Sequence, residues 1–206
     1  MIRFKKYSKA YNGQLIIKAD MELDGQFYWL KGENGSGKST LFRSMAGLIP
    51  FTGEIEVAGR AIHKDRIGYR MIVNYAEAEP VYPTFLTGRE LVNFYATTKK
   101  ADPQQVEELI VALGIGAYVG NKTGTYSSGM LKKLSLVLAF IGNPRLILLD
   151  EPLITLDQAS VTNLMDMIEQ AITKGITIII TSHQQLVTGN YSSAGLSISD
   201  HTLVLA

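Results

Sequence analysis

There is no cysteine among the 206 residues. That absence excludes a disulfide scaffold, a thiolate metal site and a cysteine nucleophile together, and it fits a reducing compartment. An excess of one charge is missing as well: 20 basic side chains stand against 19 acidic ones, for a net charge of +1. The electrostatic footprint of a nucleic-acid binder is therefore lacking, and no nucleic-acid partner is expected. No apolar run reaches the roughly 20 residues that a membrane-spanning helix needs. The longest candidate, residues 134–149, is interrupted by Gly142, Asn143, Pro144 and Arg145. Residues 1–11 are basic, but no apolar block follows them, which is not the pattern of a signal peptide. If the protein works at a membrane, another chain is expected to hold it there. Internal repeats and low-complexity stretches are also absent.

What is present is an ordinary globular composition, 46 % apolar. The length allows one domain, or one domain with an inserted lobe, and a full core without metal or disulfide support. Short strands are expected at residues 4–7 and 15–21, with Asn12-Gly13 turning between them. Residues 26–30 read as a strand feeding a glycine-rich loop, residues 40–48 as a helix, and residues 54–58 and 72–76 as further strands. The middle then changes character. Thr87 and Glu90 form a capping-box signature ahead of Leu91, Phe94 and Tyr95. Asp102-Pro103 starts a second helix, which Gly114 ends. A third helix is expected over residues 127–141. After Pro144 the α/β rhythm returns. Residues 146–149 form an unbroken apolar run, as in a strand buried on both faces of a parallel sheet. A helix over 161–171, an isoleucine-rich strand over 175–181 and a short strand over 202–205 complete the pattern.

Gly32-Glu33-Asn34-Gly35-Ser36-Gly37-Lys38-Ser39 matches G-x-x-x-x-G-K-[ST] at every fixed position, with a strand before it and a helix after it. A triphosphate must exchange water for something equally polar, and successive backbone amides at the positive end of a helix can replace that water. Glycines let the main chain wrap the phosphates closely. Lys38 is expected to reach the β- and γ-phosphates and the Ser39 hydroxyl to bind Mg²⁺. The apolar run 146–149 ends in Asp150-Glu151, so it delivers two carboxylates at the edge of the sheet where ligands bind. Asp150 is expected to hold the metal, and Glu151 to orient and deprotonate the attacking water.

Further segments fall into a recognisable order. Tyr126-Ser127-Ser128-Gly129-Met130 precedes Leu131-Lys132-Lys133-Leu134; Leu156-Asp157 follows the acidic pair; His183 follows the isoleucine-rich strand; Tyr11 lies ahead of the glycine loop; Glu77 precedes Tyr82-Pro83 and Leu86-Thr87. In this order they resemble the motifs of the ATP-binding subunit of ABC transporters, over essentially the whole chain. The signature motif is usually LSGGQ; here Tyr126 replaces Leu and Met130 replaces Gln, while Ser127 and Gly129 are kept. The resemblance implies a single domain over residues 1–206. Its fold would be a P-loop α/β core with a mostly parallel sheet, a small antiparallel β lobe and a helical subdomain inserted at about 84–143.

The resemblance also implies ATP and Mg²⁺ as ligands. Asn34, Gly35, Ser36, Gly37, Lys38, Ser39 and Thr40 would hold the phosphates, and Tyr11, with Tyr7 as its rival, would stack on adenine. Ser39, Asp150 and Glu77 would hold the metal, with Glu79 as the alternative to Glu77. Glu151, His183 and Lys38 would be catalytic. Ser127, Gly129 and Asp157 would act on the nucleotide of a second, head-to-tail copy. His63 and His201 have no such context. The implied partners are a second nucleotide-binding subunit, in a homodimer or pseudo-homodimer, and a transmembrane permease on a separate chain that holds this one at the cytoplasmic face. The short run after His183 resembles the small exporter-type subunits. The other reading open to the sequence is a soluble ABC ATPase that assists assembly of another complex.

Overall fold

A computed structural model describes residues 1–182 and 194–206. Its strands join one ten-stranded sheet. β1 (Ile2–Tyr11) and β2 (Gln14–Leu23) form an antiparallel hairpin about Asn12-Gly13, and β4 (Thr52–Val57) and β5 (Arg60–Ala61) extend it beyond β1. The other half carries β3 (Phe27–Lys31), β6 (Val73–Ala76), β7 (Leu146–Asp150), β8 (Thr177–Thr181), β9 (Ala194–Ser199) and β10 (Thr202–Leu205). The order is β5-β4-β1-β2-β10-β9-β3-β8-β7-β6, and β9-β3-β8-β7-β6 is parallel throughout. The antiparallel lobe is not separate. A single parallel pairing, Thr202 with Lys18, stitches β10 to β2.

The parallel strands lack polar alternation because both faces are covered. β7 and β8 are buried at all five of their positions. On β7, Leu146 and Leu148 enter one hydrophobic cluster while Ile147 and Leu149 enter the other, as the two-residue period of a strand requires. The first cluster joins the sheet to the antiparallel lobe and to α1 (Lys38–Met45), through Leu41, Phe42 and Met45. The second holds α6 (Gln158–Thr173) and three helices that lie between β6 and β7 in the chain: α3 (Gly88–Lys99), α4 (Pro103–Ala112) and α5 (Ser128–Phe140). Each buried Leu or Ile contributes about 1.5–3 kcal/mol, so this shared core fixes the strand ends from which the functional loops emerge.

Local signals place most helix starts. Thr87 accepts from the Glu90 backbone N–H at 3.1 Å and donates its own N–H to the Glu90 carboxylate at 2.7 Å, so the capping box closes. Asp102 caps α4 through the Gln104 N–H, with Pro103 in the first turn. Asn74 donates to the carbonyls of Ala139 and Ile141, which satisfies the last turn of α5 and pins it to β6. Besides the two-residue β5, two elements described here have no counterpart among those expected from the sequence. α2 (Arg66–Ile72) takes residue 72, expected in a strand, into a short helix. It forms because Asp65 caps it and because the buried Tyr69 donates its hydroxyl to the Met45 carbonyl at 2.8 Å. β9 buries only Leu196, a pattern too weak to read locally, and owes its conformation to pairing with β3 and β10.

Candidate active site

Residues 32–39 leave β3 and wrap round to open α1. Gly37 has φ 105°, and a Cβ there would stand 3.2 Å from Ile16 Cγ2, so both backbone and space call for glycine. The start of α1 has no side-chain cap and no acidic residue in its first turn, which leaves its N–H groups and the positive end of the helix for an anion. Ser36 Oγ is buried and finds no hydrogen-bond partner among the described residues. Lys38 Nζ donates to the carbonyls of Gly32, at 2.6 Å, and Glu33, at 3.0 Å, which holds the ammonium over the loop. Free amides, an orphaned hydroxyl and a tethered cation together fit a phosphate chain.

The acidic end of β7 faces this loop. Asp150 is 2 % exposed. Its Oδ1 accepts from the Thr181 hydroxyl at 2.7 Å and its Oδ2 from the Tyr75 hydroxyl at 3.2 Å. An ionised carboxylate has about four acceptor positions, so two hydroxyls leave room for a metal ion. Burial and the neighbouring Asp150 charge both push the Tyr75 hydroxyl upward, so it stays a neutral donor. Glu151 takes φ 45°, a left-handed backbone that side-chain-bearing residues seldom adopt outside functional turns. Among the described residues no group of three or more His, Asp or Glu gathers round a possible metal position. Mg²⁺ does not need one, because it completes its shell with water and phosphate oxygens.

A cleft of 320 Å³ joins these parts. Its walls include Asn34, Gly35, Gly37, Lys38, Ser39 and Thr40 from the loop and helix start, with Tyr11, Asp150 and Glu151. Tyr11 is 47 % exposed and carries the Lys9 ammonium 4.4 Å from its ring centre. Its rival Tyr7 is buried in the core, with its hydroxyl donated to Ser44 Oγ, and offers no face to a base. Glu77 is not brought into the cleft. Its carboxylate meets Arg43 at 3.3 Å and lines a separate groove, while Ala78 takes the place on the cleft wall. The Glu77 carboxylate is thus held toward Arg43, and Glu79 is not among the cleft residues either. His183 lies outside the described residues.

Ser127, Gly129 and Asp157 stand apart from the cleft. Ser127 is the N-cap of α5 and accepts from the Met130 N–H at 3.3 Å. Ser127 and Ser128 are exposed. A Cβ on Gly129 would lie 2.9 Å from the Thr155 carbonyl, so the tip of α5 packs directly on the segment leading to Asp157.

One further residue, read in the sequence only as part of the signature segment, belongs to the site. Lys132 is 1 % exposed, and its ammonium reaches the carbonyls of Glu77 at 2.9 Å, Ala78 at 2.7 Å and Asp150 at 3.2 Å. Burial draws it down to about 8, against the upward pull of Asp150, Glu151 and Glu79. It ties α5 to the loop after β6 and to the acidic end of β7. A lysine amid the apolar positions of α5 was the available signal.

Comparison with known proteins agrees with this geometry. The family model described as ABC transporter matches residues 19–154, and one described as an AAA domain matches residues 122–188. The human retinal-specific phospholipid-transporting ATPase ABCA4 is 34 % identical over 89 % of the chain, which spans 8 % of that protein's length. The linearmycin resistance ATP-binding protein LnrL of Bacillus subtilis (strain 168) is 30 % identical over 89 % of the chain and 61 % of its own length. The chain thus spans less than two thirds of these relatives. Among solved structures, an ATP-binding subunit of an ABC transporter superposes with a TM-score of 0.89 at 24 % identity, covering 98 % of this chain and 88 % of that one. The dimeric ATP-binding cassette MJ0796, in a post-hydrolysis state with ADP and Pi, superposes at 0.85 and 18 % identity, covering 98 % and 96 %. With a triphosphate loop, an acidic strand end and a family model that matches more than half of its length, the chain belongs to the ABC transporter family as its nucleotide-binding ATPase domain.

Proposed function

We propose that this domain powers an ABC transporter by closing, as a pair of head-to-tail copies, over two ATP molecules. The observation that carries the reading is a separation. Tyr11, the glycine loop, Asp150 and Glu151 share one cleft, whereas the exposed, Ser127-capped tip of α5 is not among its walls. A helix tip with free amides is an anion site, and in this reading it serves the γ-phosphate held by the other copy. MJ0796, a relative in fold, is described as dimeric.

In the proposed mechanism Lys38 and the loop amides of residues 34–40, Ser36 and Thr40 included, neutralise the phosphate chain. The Ser39 hydroxyl and the Asp150 carboxylate would hold Mg²⁺, which supplies further charge neutralisation when bound. Glu151 takes a proton from the attacking water as its oxygen joins the γ-phosphorus and the bond to the bridging oxygen breaks. Tyr11 stacks on adenine, Asp157 positions the partner's nucleotide, and His183 senses the γ-phosphate. ATP holds the pair closed and hydrolysis releases it, so binding energy becomes movement.

The partner is a transmembrane permease on a separate chain. Among the described residues no helix is long and apolar enough to cross a membrane, so attachment to the cytoplasmic face would come through that partner. A groove of 640 Å³ between the core and α3 offers a seat, with Ile67 82 % and Val81 89 % exposed along it. Residues 84–143 act in this reading as a helical subdomain within a single domain of residues 1–206, of the small exporter type.

The test is Glu151→Gln. With ATP it should elute as a dimer holding uncleaved nucleotide, and its turnover should fall by roughly 100-fold or more. Wild-type turnover would remove the base assignment, and a monomer in saturating ATP would remove the closed pair. Co-purification from detergent extract separates the remaining alternative: a multi-span membrane protein supports transport, and a soluble scaffold supports an assembly ATPase.

A further inference from the structure

Thr181 ends β8 and pairs in register with Asp150 at the end of β7. It is 0 % exposed. Its hydroxyl donates to Asp150 Oδ1 at 2.7 Å and accepts from the Glu151 backbone N–H at 2.8 Å. A hydroxyl can do both because it carries one donor and two acceptor lone pairs. A valine of the same shape can do neither. The end of β8 is itself anchored, since Trp29 Nε1 donates to the Ser182 carbonyl at 3.1 Å.

Two consequences meet at this oxygen. The Asp150 carboxylate is held by hydroxyls from both flanking strands, Thr181 on β8 and Tyr75 on β6. The peptide joining Asp150 to Glu151 is held at the point where the chain turns left-handed, with Glu151 at φ 45°. A disfavoured conformation persists only where its surroundings over-determine it. A backbone N–H that loses its partner in a largely dry site costs free energy, so the bond to Thr181 favours this turn over the relaxed one. The turn is what brings Glu151 to the wall of the nucleotide cleft.

We propose that Thr181 is a positioning residue for ATP hydrolysis, fixing through one hydroxyl both the Asp150 carboxylate and the left-handed turn that presents Glu151 to the cleft. The inference rests on the reading of Glu151 as the base. It concerns the chemical step and not nucleotide capture, because Thr181 is not among the residues lining the cleft.

The experiment compares Thr181→Val and Thr181→Ser in the whole chain. It measures turnover against ATP concentration, affinity for a fluorescent ATP analogue with Mg²⁺, and the unfolding temperature. Valine should lower kcat by about 10- to 100-fold and leave KM and analogue affinity within about threefold, whereas serine should restore kcat to within about threefold of wild type. Introduced into Glu151→Gln, Thr181→Val should still allow the ATP-held dimer, which a general collapse of the site would not. Wild-type kcat in the valine variant, a serine variant as slow as valine, or a parallel loss of kcat and affinity would each overturn the proposal. Should valine fail to fold, Thr181→Ala is read in the same way. Glu151→Gln measured alongside separates the two readings. If it loses turnover while Thr181→Val keeps it, only the positioning role fails; if it keeps turnover, the base reading fails and this inference goes with it.

Discussion

Lys133 near the start of α5 and Asp157 at the start of α6 are bound to each other: Lys133 Nζ lies 2.6 Å from Asp157 Oδ2. The other carboxylate oxygen accepts from the Ser160 N–H at 2.8 Å and caps α6. The Lys133 hydrogen bond, followed by those from Ser160, holds the Asp157 carboxyl well below the usual carboxylate range. Because the folded value lies below an unfolded value of about 3.9, what these bonds contribute is fully present at neutral pH and is lost as pH falls through the folded value. Asparagine caps as well as aspartate but cannot form the ion pair. Asp157→Ala should therefore lower the unfolding temperature by about 2–4 °C and Asp157→Asn by clearly less. Equal losses in thermal unfolding would mean that the cap contributes nothing.

If the tip of α5 serves the cleft of another copy, two disabled chains should repair each other. Lys38→Ala removes the cation that the loop holds over itself, so nucleotide affinity should fall by about 100-fold or more. Ser127→Arg should bind ATP normally yet not hydrolyse it, because the blocked tip belongs to the other site. Each variant alone should be inactive. An equimolar mixture should recover roughly a quarter of wild-type turnover, if copies pair at random and the one intact composite site in each mixed pair works alone. A mixture as silent as its components would argue against head-to-tail closure.

The groove beside α3 makes a separate claim on the surface. Ile67 and Val81 are not among the walls of the nucleotide cleft and are almost wholly exposed. Val81→Asp should leave ATP affinity and the ATPase rate of the isolated domain within about twofold, as expected of an exposed change, while abolishing co-purification with a membrane partner. Retention of that partner at wild-type yield would move the docking seat elsewhere.

Lys99 ties α3 to the core by donating to the carbonyls of Arg70 and Val73. Burial draws its ammonium from 10.5 down to about 8. Below pH 8 both folded and unfolded chains carry the proton, and the folded state bears the full cost of the half-buried charge. Between about pH 8 and 10.4 the folded chain releases a proton that the unfolded chain keeps, so this group makes stability rise with pH across that window. Lys99→Met lacks the effect. The urea midpoint of wild type minus that of Lys99→Met should therefore increase from about pH 7 to about pH 10. A difference that does not change with pH would mean that the ammonium remains hydrated.

The parts legible in the sequence are those whose physics is contiguous. Residues 32–39 announce a phosphate loop because the amides that would wrap the phosphates are consecutive. Thr87 with Glu90, Asp102 with Gln104, and Ser127 with Met130 announce helix starts because a cap reaches only two or three residues along the chain. Leu146–Asp150 reads as a doubly buried strand because it lacks alternation. The setting of Glu77 is fixed over a longer range. Just past β6, Glu77 lines the outer groove and its neighbour Ala78 lines the cleft. Ala76 pairs with Leu149, and that seating of the strand end is invisible locally.

By itself, then, the sequence determined the α/β class, the glycine loop, the acidic strand end and the capped tip of α5, since each follows from neighbours in the chain. Only the tertiary structure decided that β9 is a strand and that Tyr7 is core while Tyr11 borders the cleft. It alone placed the Lys132 ammonium and the Thr181 hydroxyl at the backbone of the acidic pair. Those outcomes depend on groups tens of residues apart being buried together, where an unpaired donor or acceptor is costly enough to select one arrangement.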